Sequence, residues 1–127
     1  HQALWSTELS GEKTFGCPLL HNGLLYTWGH KGGLSVVDAT TGAIAYEQRL
    51  DPGDGRAMSS PILVGDAVVL GTLGGRLAAV RAGRTFELLG TVDREPMRST
   101  PVFAHGRLYV RGLDRLWAVG VSGTLAP

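Results

Sequence analysis

The sequence predicts an all-β chain of tandem four-stranded antiparallel sheets, and two observations carry this prediction. Glycine supplies 19 of the 127 residues without a collagen-like period, which is typical of many tight turns between short strands. Three segments also resemble one another at a spacing of about forty residues, and their aligned prolines are Pro18, Pro61 and Pro101. Together these features indicate a repeated unit of short strands.

Each unit contains the same order of predicted strands. The proline suits the first residue of a strand because it fixes φ and lacks an N–H. Glycine-containing turns such as Asn22-Gly23 separate the strands. The predicted strands are 19–20, 24–28, 34–38 and 43–50 in the first unit, 62–64, 67–72, 76–81 and 85–93 in the second, and 102–103, 107–111 and 116–120 in the third.

Polarity increases along each unit, which favours β-propeller blades. The first three strands are apolar runs, as expected where both faces are covered, whereas the fourth carries Glu47, Gln48 and Arg49, or Glu87. A β-sandwich is the structural alternative. If the units are blades, six aligned positions should be buried, namely Leu25, Val36, Val68, Val80, Leu108 and Val119.

The repeats divide the chain into a single propeller segment, 1–127. Residues 1–10, with a strand over 3–9, are predicted to form the outer strand of a preceding or shared blade. Blades follow at 17–59 and 60–99, and a partial blade at 100–127. Because propellers have about four to eight blades, we expect an incomplete ring in one chain. The ring is completed either by a second copy, in a homo-oligomer, or by missing blades of a longer chain.

Composition excludes several classes of partner and covalent link. A net charge of +1 argues against nucleic acid, and no apolar run is long enough to span a membrane. The one cysteine, Cys17, permits no internal disulfide. We expect it to be a buried small hydrophobic residue.

The segment Val37-Asp38-Ala39-Thr40-Thr41-Gly42-Ala43 resembles the pyrroloquinoline-quinone-like (PQQ-like) propeller repeat family, and Gly23-Leu24-Leu25-Tyr26 fits the same pattern. Tyr46 stands where the family has tryptophan, and Trp5 is similar to the docking tryptophan of a preceding repeat. Asp38 can accept backbone N–H bonds in the turn, and Gly42 can take the left-handed conformation there. The structural motif residues are therefore Trp5, Asp38, Gly42 and Tyr46.

The resemblance implies two classes of function. One is a non-catalytic scaffold or binding module for a protein or small ligand. The alternative is a fragment of a quinoprotein (PQQ-dependent) oxidoreductase whose cofactor site lies in missing blades. Quinoproteins of the family use adjacent cysteines and bound calcium. This chain has no cysteine pair, and 51–55 reads as a solvated turn. We therefore expect no catalytic residue, metal or cofactor, and the resemblance implies a bacterial periplasmic or extracytoplasmic location.

The candidate binding residues precede the first strand of each unit. Cys17, Ser60 and Thr100 are small and align immediately before the prolines. Since such connections reach the central axis of a propeller, these residues should meet at one mouth of the channel, where Arg56 and Arg98 add positive charge. A site for an anionic group is one hypothesis. The alternative is that the hydroxyl groups satisfy backbone groups near the axis.

Overall fold

The computed structural model describes residues 2–53 and 55–120, and this part of the chain consists of strands and turns without a helix. No helix long and apolar enough to cross a membrane occurs in it. The strands are β1 (Leu19–His21), β2 (Leu24–Trp28), β3 (Gly33–Asp38), β4 (Ile44–Arg49), β5 (Ile62–Val64), β6 (Ala67–Gly71), β7 (Arg76–Arg81), β8 (Leu88–Asp93), β9 (Val102–Ala104), β10 (Arg107–Arg111) and β11 (Leu116–Val119).

The strands form separate antiparallel sheets in chain order. The first sheet is β1-β2-β3-β4, the second is β5-β6-β7-β8, and the third contains β9-β10-β11. The predicted all-β fold is confirmed, and the sheets do not close a ring within the described residues. The outer strand predicted at 3–9 stays a prediction, because a strand of a preceding or shared blade needs that blade beside it. Within the described residues this segment joins no β-ladder.

Tight turns join the first two strands of each sheet. Asn22 and Gly23 have φ values of 48° and 76°, and His105 and Gly106 have φ values of 54° and 72°. Two successive residues with positive φ form a turn whose twist matches that of the flanking strands. The turns thus bring strands β1 and β2, or β9 and β10, into antiparallel register.

The first and second sheets pack face to face and form the larger core. Val36, Val68 and Val80 are fully buried there, which confirms the prediction for these residues. Full burial of such side chains contributes about 1.5–3 kcal/mol each. The other main members of this cluster are Leu24, Tyr26, Trp28, Leu34, Leu70 and Ala78.

Three of the six predicted core residues are only half-buried. Leu25 lies on the face of the first sheet that points away from the second, and no further sheet covers that face in the described residues. Leu108 packs against the smaller core between the second and third sheets. Val119 lies on β11, at the edge of the third sheet. The strand register places Val36 in line with Ala79 and Ala118, one residue from Val80 and Val119. The alignment also does not show which faces have a neighbour.

The smaller core covers the other face of the second sheet. Leu77, Met97 and Val110 are buried in it, and Val69 and Leu108 pack against them. The second sheet is therefore enclosed on both faces. On the third sheet, by contrast, Val102 and Leu116 are 59% and 70% exposed.

Two tyrosines of the first sheet meet the second sheet in different ways. The Tyr26 hydroxyl accepts a hydrogen bond from the Gly83 N–H at 2.9 Å. The Tyr46 ring packs edge-on against Phe86, with ring centroids 5.9 Å apart. Its hydroxyl is buried without a hydrogen-bond partner in the described residues. Burial raises the pKa of Tyr46 to about 12.

Because the two hydroxyls differ in this way, their removal should have opposite effects. Tyr46→Phe removes an unpaired buried hydroxyl, and we expect the free energy of unfolding to stay constant or rise by up to about 1 kcal/mol. Tyr26→Phe, the matched variant, leaves the Gly83 N–H without its acceptor and should cost about 1–2 kcal/mol. Urea denaturation of the whole chain measures both. An equal loss in both variants would contradict the different bonding of the two hydroxyls.

Candidate functional site

One end of the sheets carries both the connections between sheets and the turns between second and third strands. We call it the connection end; it comprises residues 10–17, 29–33, 55–60, 72–75, 94–100 and 112–115. Backbone hydrogen bonds tie the turns to the connections there. His30 N–H donates to Lys13 O at 2.9 Å, and Leu73 N–H donates to Arg56 O at 2.7 Å. The connections are therefore held against the sheets rather than projecting freely.

A chain of hydrogen bonds at this end links the three sheets to one another. Cys17 N–H donates to Ser60 Oγ at 2.8 Å, and Ser60 N–H donates to Thr100 Oγ1 at 2.9 Å. We call these three residues the hydroxyl relay. The structure thus brings together the three small residues that the sequence aligned. Both hydroxyl groups accept a backbone N–H, which is the structural role that the sequence left open beside ligand binding.

Cys17 differs from its predicted environment. Its side chain is exposed, so the prediction of a buried small hydrophobic residue is wrong. The residue lies just before β1, and its backbone N–H bonds to Ser60, just before the first strand of the second sheet. The position is an end of the relay, which explains why alignment with Ser60 and Thr100 did not reveal its exposure.

A second set of hydroxyl bonds was not predicted. Ser59 Oγ donates to Gly71 O at 3.0 Å, and Ser99 Oγ donates to Arg111 O at 3.2 Å. In the first sheet the corresponding residue is Gly16, where an added Cβ would lie 2.7 Å from Ser59 O. The recurrence of Ser59-Ser60-Pro61 as Ser99-Thr100-Pro101 was the sequence signal for this pair.

The two predicted arginines do not form a matched pair around the relay. Arg56 lies five residues before Pro61, whereas Arg98 lies three residues before Pro101. Both side chains are exposed. Neither takes part in an ion pair among the described residues, and no hydrogen bond joins either side chain to the relay there. An anion site at the channel mouth therefore stays a prediction.

The connection end also presents apolar side chains to solvent in a repeating arrangement. Phe15, Met58 and Arg98 each lie three residues before a proline, and the first two are 56% and 37% exposed. Leu113, from the turn between β10 and β11, is 56% exposed. We call Phe15, Met58, Arg98 and Leu113 the connection row. The sequence analysis missed its apolar members.

His30 supports the start of this row. The Phe15 ring packs edge-on against the His30 ring, with centroids 6.1 Å apart. Nδ1 of His30 is buried without a hydrogen-bond partner in the described residues. Phe15 thus projects from a fixed base although more than half of its surface is exposed.

A cavity of about 330 Å³ opens beside the third sheet. On the wall of this cavity, Trp117 Nε1 donates a hydrogen bond to Glu95 Oε1 at 2.6 Å. The Arg115 guanidinium lies over the Trp117 ring, 5.9 Å from its centroid. The carboxylate is thus already engaged by the indole. The other lining residues are Asp93, Arg94, Val110 and Val119.

The described residues show no metal-binding cluster. No group of three or more His, Cys, Asp or Glu side chains gathers in them as metal ligands would. Asp51, at the start of the acidic turn, accepts the Gly53 N–H at 2.9 Å and pairs with Arg76 at 3.3 Å. Asp54 lies outside the described residues.

The family motif occupies the opposite end of the sheets. Trp5 donates from Nε1 to Ala39 O at 3.0 Å, and its ring lies on Gly42. Gly42 has a φ of 79°, and an added Cβ would lie 2.6 Å from the ring. Only glycine suits that position, because a side chain would meet both backbone strain and the indole. The turn is thus shaped to receive an aromatic ring.

Asp38 holds the same turn and joins it to the second sheet. Its Oδ1 accepts the N–H groups of Thr40 and Thr41 at 2.9 and 3.1 Å. Its Oδ2 accepts a hydrogen bond from the Arg84 guanidinium at 2.6 Å. The Arg84 bond, followed by the two backbone bonds, lowers the pKa of Asp38 to about 2.

Stacked antiparallel sheets of four, four and three strands, joined at one end by the relay and, for the first two, at the other end by the Asp38–Arg84 bond, define a β-propeller repeat protein. The profile of the family described as outer membrane protein assembly factor BamB matches residues 2–112. The chain therefore belongs to this family of PQQ-like propeller repeats. No curated protein matches the chain in sequence.

Solved structures resemble the chain in fold. BamB from Moraxella catarrhalis superposes with a TM-score of 0.69 at 17% identity, over 86% of this chain and 34% of that protein. The quinohemoprotein alcohol dehydrogenase ADHIIG from Pseudomonas putida HK5 gives 0.64 at 19% identity, over 78% and 16%. The quinohemoprotein alcohol dehydrogenase from Comamonas testosteroni gives 0.62 at 16% identity, over 78% and 17%. The chain thus spans about a third of the Moraxella protein.

The low pKa of Asp38 gives a testable dependence on pH. Because the folded pKa is below that of the free side chain, the stabilisation by ionised Asp38 is present above about pH 4 and is lost towards pH 2. Arg84→Ala should raise this pKa, since it removes the largest cause. The carboxyl ¹³C chemical shift of Asp38, followed as a function of pH, measures its pKa in the wild-type chain and in the Arg84→Ala variant. An unchanged pKa in the variant would contradict the role of Arg84.

Proposed function

We propose that the chain is a non-catalytic β-propeller scaffold that binds a protein partner through its connection end. The observation that carries this proposal is the connection row, in which exposed Phe15, Met58 and Leu113 accompany Arg98. Exposed aromatic, methionine and arginine side chains are enriched where proteins recognise one another. The partner segment would contact the three apolar residues of the row with apolar side chains and would pair a carboxylate with Arg98.

The rigid support of the row favours this proposal. Phe15, Met58 and Arg98 project from connections whose backbone is hydrogen-bonded to the turns, so little ordering of these three would be needed on binding. Cys17, Ser60 and Thr100 would then act chiefly as the relay beneath the binding surface. Arg56 would add positive charge beside it. The family description, an outer membrane protein assembly factor, supports a protein partner and an extracytoplasmic location.

The scaffold would complete its ring with further sheets. Apolar side chains of the third sheet are exposed, among them Val102 and Leu116. Their exposure favours burial of this face against a further sheet. A second copy of the chain is the occupant that we propose. Further sheets of a longer polypeptide are the rival explanation.

Site-specific photo-crosslinking tests the binding surface. A photoreactive residue at Phe15 or Met58 should capture the same envelope protein, whereas one at Val92, which is exposed on the outer strand β8, should not. With the probe at Met58, Phe15→Ser should reduce capture about tenfold, as expected for loss of an aromatic anchor. Equal capture from all three positions would contradict a defined surface at the connection end.

The quinoprotein alternative has support only from the shared fold of the quinohemoprotein dehydrogenases. We expect no quinone-dependent dehydrogenase activity when the chain is mixed with the quinone and calcium and dye reduction is followed. The reason is that the chain lacks the cysteine pair of that class. Stoichiometric quinone binding with turnover would overturn the scaffold proposal.

A further inference from the structure

Charged residues divide unevenly between the connection end and the rest of the chain. The connection end has six lysines and arginines against three aspartates and glutamates, which gives it a net charge of +3. The rest of the chain has six against eight, which gives −2. A chain that is nearly neutral as a whole is therefore basic at one end. The six basic residues of that end are Lys13, Lys31, Arg56, Arg94, Arg98 and Arg115.

The basic residues of the connection end also differ from the others in their pairing. All six are exposed, and none of them forms an ion pair with another described residue. Elsewhere in the chain Arg49, Arg76, Arg81 and Arg84 all pair with carboxylates. Like charges repel one another, so their collection at one end has a free-energy cost that an anionic partner would offset.

Two of the three acidic residues at this end are already engaged. The Glu12 carboxylate accepts the Gly33 N–H at 2.7 Å and pairs with Arg49 at 3.2 Å, and its side chain is only 5% exposed. The Glu95 carboxylate accepts the Trp117 indole N–H. Neither carboxylate forms an ion pair with the exposed basic residues of the connection end in the described part of the chain.

The first two units place a basic residue two positions before an exposed apolar one. Lys13 precedes Phe15 in this way, and Arg56 precedes Met58. Lys13 and Arg56 each lie five residues before the aligned proline. Their carbonyl oxygens accept equivalent hydrogen bonds from the turns between second and third strands. The two units therefore present a positive charge and an apolar side chain from the same backbone positions.

The backbone of these turns is already hydrogen-bonded. The N–H and C=O groups of His30, and those of Leu73, are bonded to the connections on either side. Addition of a strand from a partner needs free backbone groups. Recognition at the connection end would therefore use side chains, which makes their charge and polarity the features that select a partner.

We propose that the partner of the connection end is an acidic protein segment. Its carboxylates pair with Lys13 and Arg56, and apolar side chains beside those carboxylates cover Phe15 and Met58. Charge complementarity of this kind determines chiefly which partner is accepted and how fast it associates. Lys13 and Arg56 are then the specificity-determining residues of the surface. The acidic partner presupposes the protein-binding surface proposed above.

Peptide binding tests the chemistry of the partner. The probes are short labelled peptides of Glu-Glu-Leu, Lys-Lys-Leu and Glu-Glu-Ser repeats, and fluorescence anisotropy measures their binding to the whole chain. The Glu-Glu-Leu peptide should bind at least roughly tenfold more tightly than either of the others. A salt concentration of about 0.5 M, at which the Debye length is only a few ångströms, should weaken this binding.

Charge reversal in the chain is the second part of the test. Lys13→Glu and Arg56→Glu should each weaken binding of the Glu-Glu-Leu peptide about tenfold. Arg107→Glu is the matched control and should leave binding unchanged. It makes the same change of charge at the opposite end of the sheets, where β10 follows the turn at His105 and Gly106. Circular dichroism shows whether each variant folds.

Several results would overturn the acidic partner. If no peptide binds, if the Lys-Lys-Leu peptide binds equally well, or if Phe15→Ser weakens binding and charge reversal does not, the acidic preference is wrong. Equal binding of the Glu-Glu-Ser peptide would show a purely ionic surface. Tighter binding to phosphatidylglycerol vesicles, with the same dependence on Lys13 and Arg56, would identify a lipid surface instead. None of the first three results decides the proposed function, which fails only if photo-crosslinking shows no defined surface.

Discussion

The structure depends on the fact that each sheet has two apolar faces and cannot bury both by itself. The second sheet shows the requirement most clearly, because Val68 and Val80 face the first sheet while Leu77 faces the third. Burial of side chains of this size contributes about 1.5–3 kcal/mol each, which is large against a net stability of about 5–15 kcal/mol. Sheets of this kind are therefore stable only as members of a stack.

Hydrogen bonds at the two ends determine how the stacked sheets meet. Apolar contact is non-directional, so it favours stacking without fixing an angle or an order. The relay from Cys17 to Ser60 to Thr100 joins the inner edges at one end. The Asp38–Arg84 bond joins the first and second sheets at the other end. A neutral hydrogen bond such as those of the relay contributes a net free energy of only about 1 kcal/mol. The geometry of these bonds nevertheless specifies the orientation that the apolar faces leave open.

The bounds of the strands could be predicted from the sequence far better than the solvent exposure of individual side chains. The strands over 24–28, 62–64, 76–81 and 107–111 have the predicted bounds, because proline, glycine turns and apolar runs act within a few residues. The exposure of Cys17 and the half-burial of Leu25 were missed, since both depend on which neighbouring sheet is present. The relay's residues were found by alignment. Their acceptor role could not be derived, because donor and acceptor lie about forty residues apart.

The repeats also separate positions that serve the stack from positions that face solvent. The residue before each proline is small in all three units, because its backbone or side chain takes part in the relay. Two residues earlier, the same backbone position carries a phenyl ring, a thioether and a guanidinium in turn, namely Phe15, Met58 and Arg98. In the described part of the chain, no side-chain hydrogen bond or ion pair between sheets involves that position. Side chains there can vary without cost to the stack, and this is why recognition is best sought in the connections rather than in the strands.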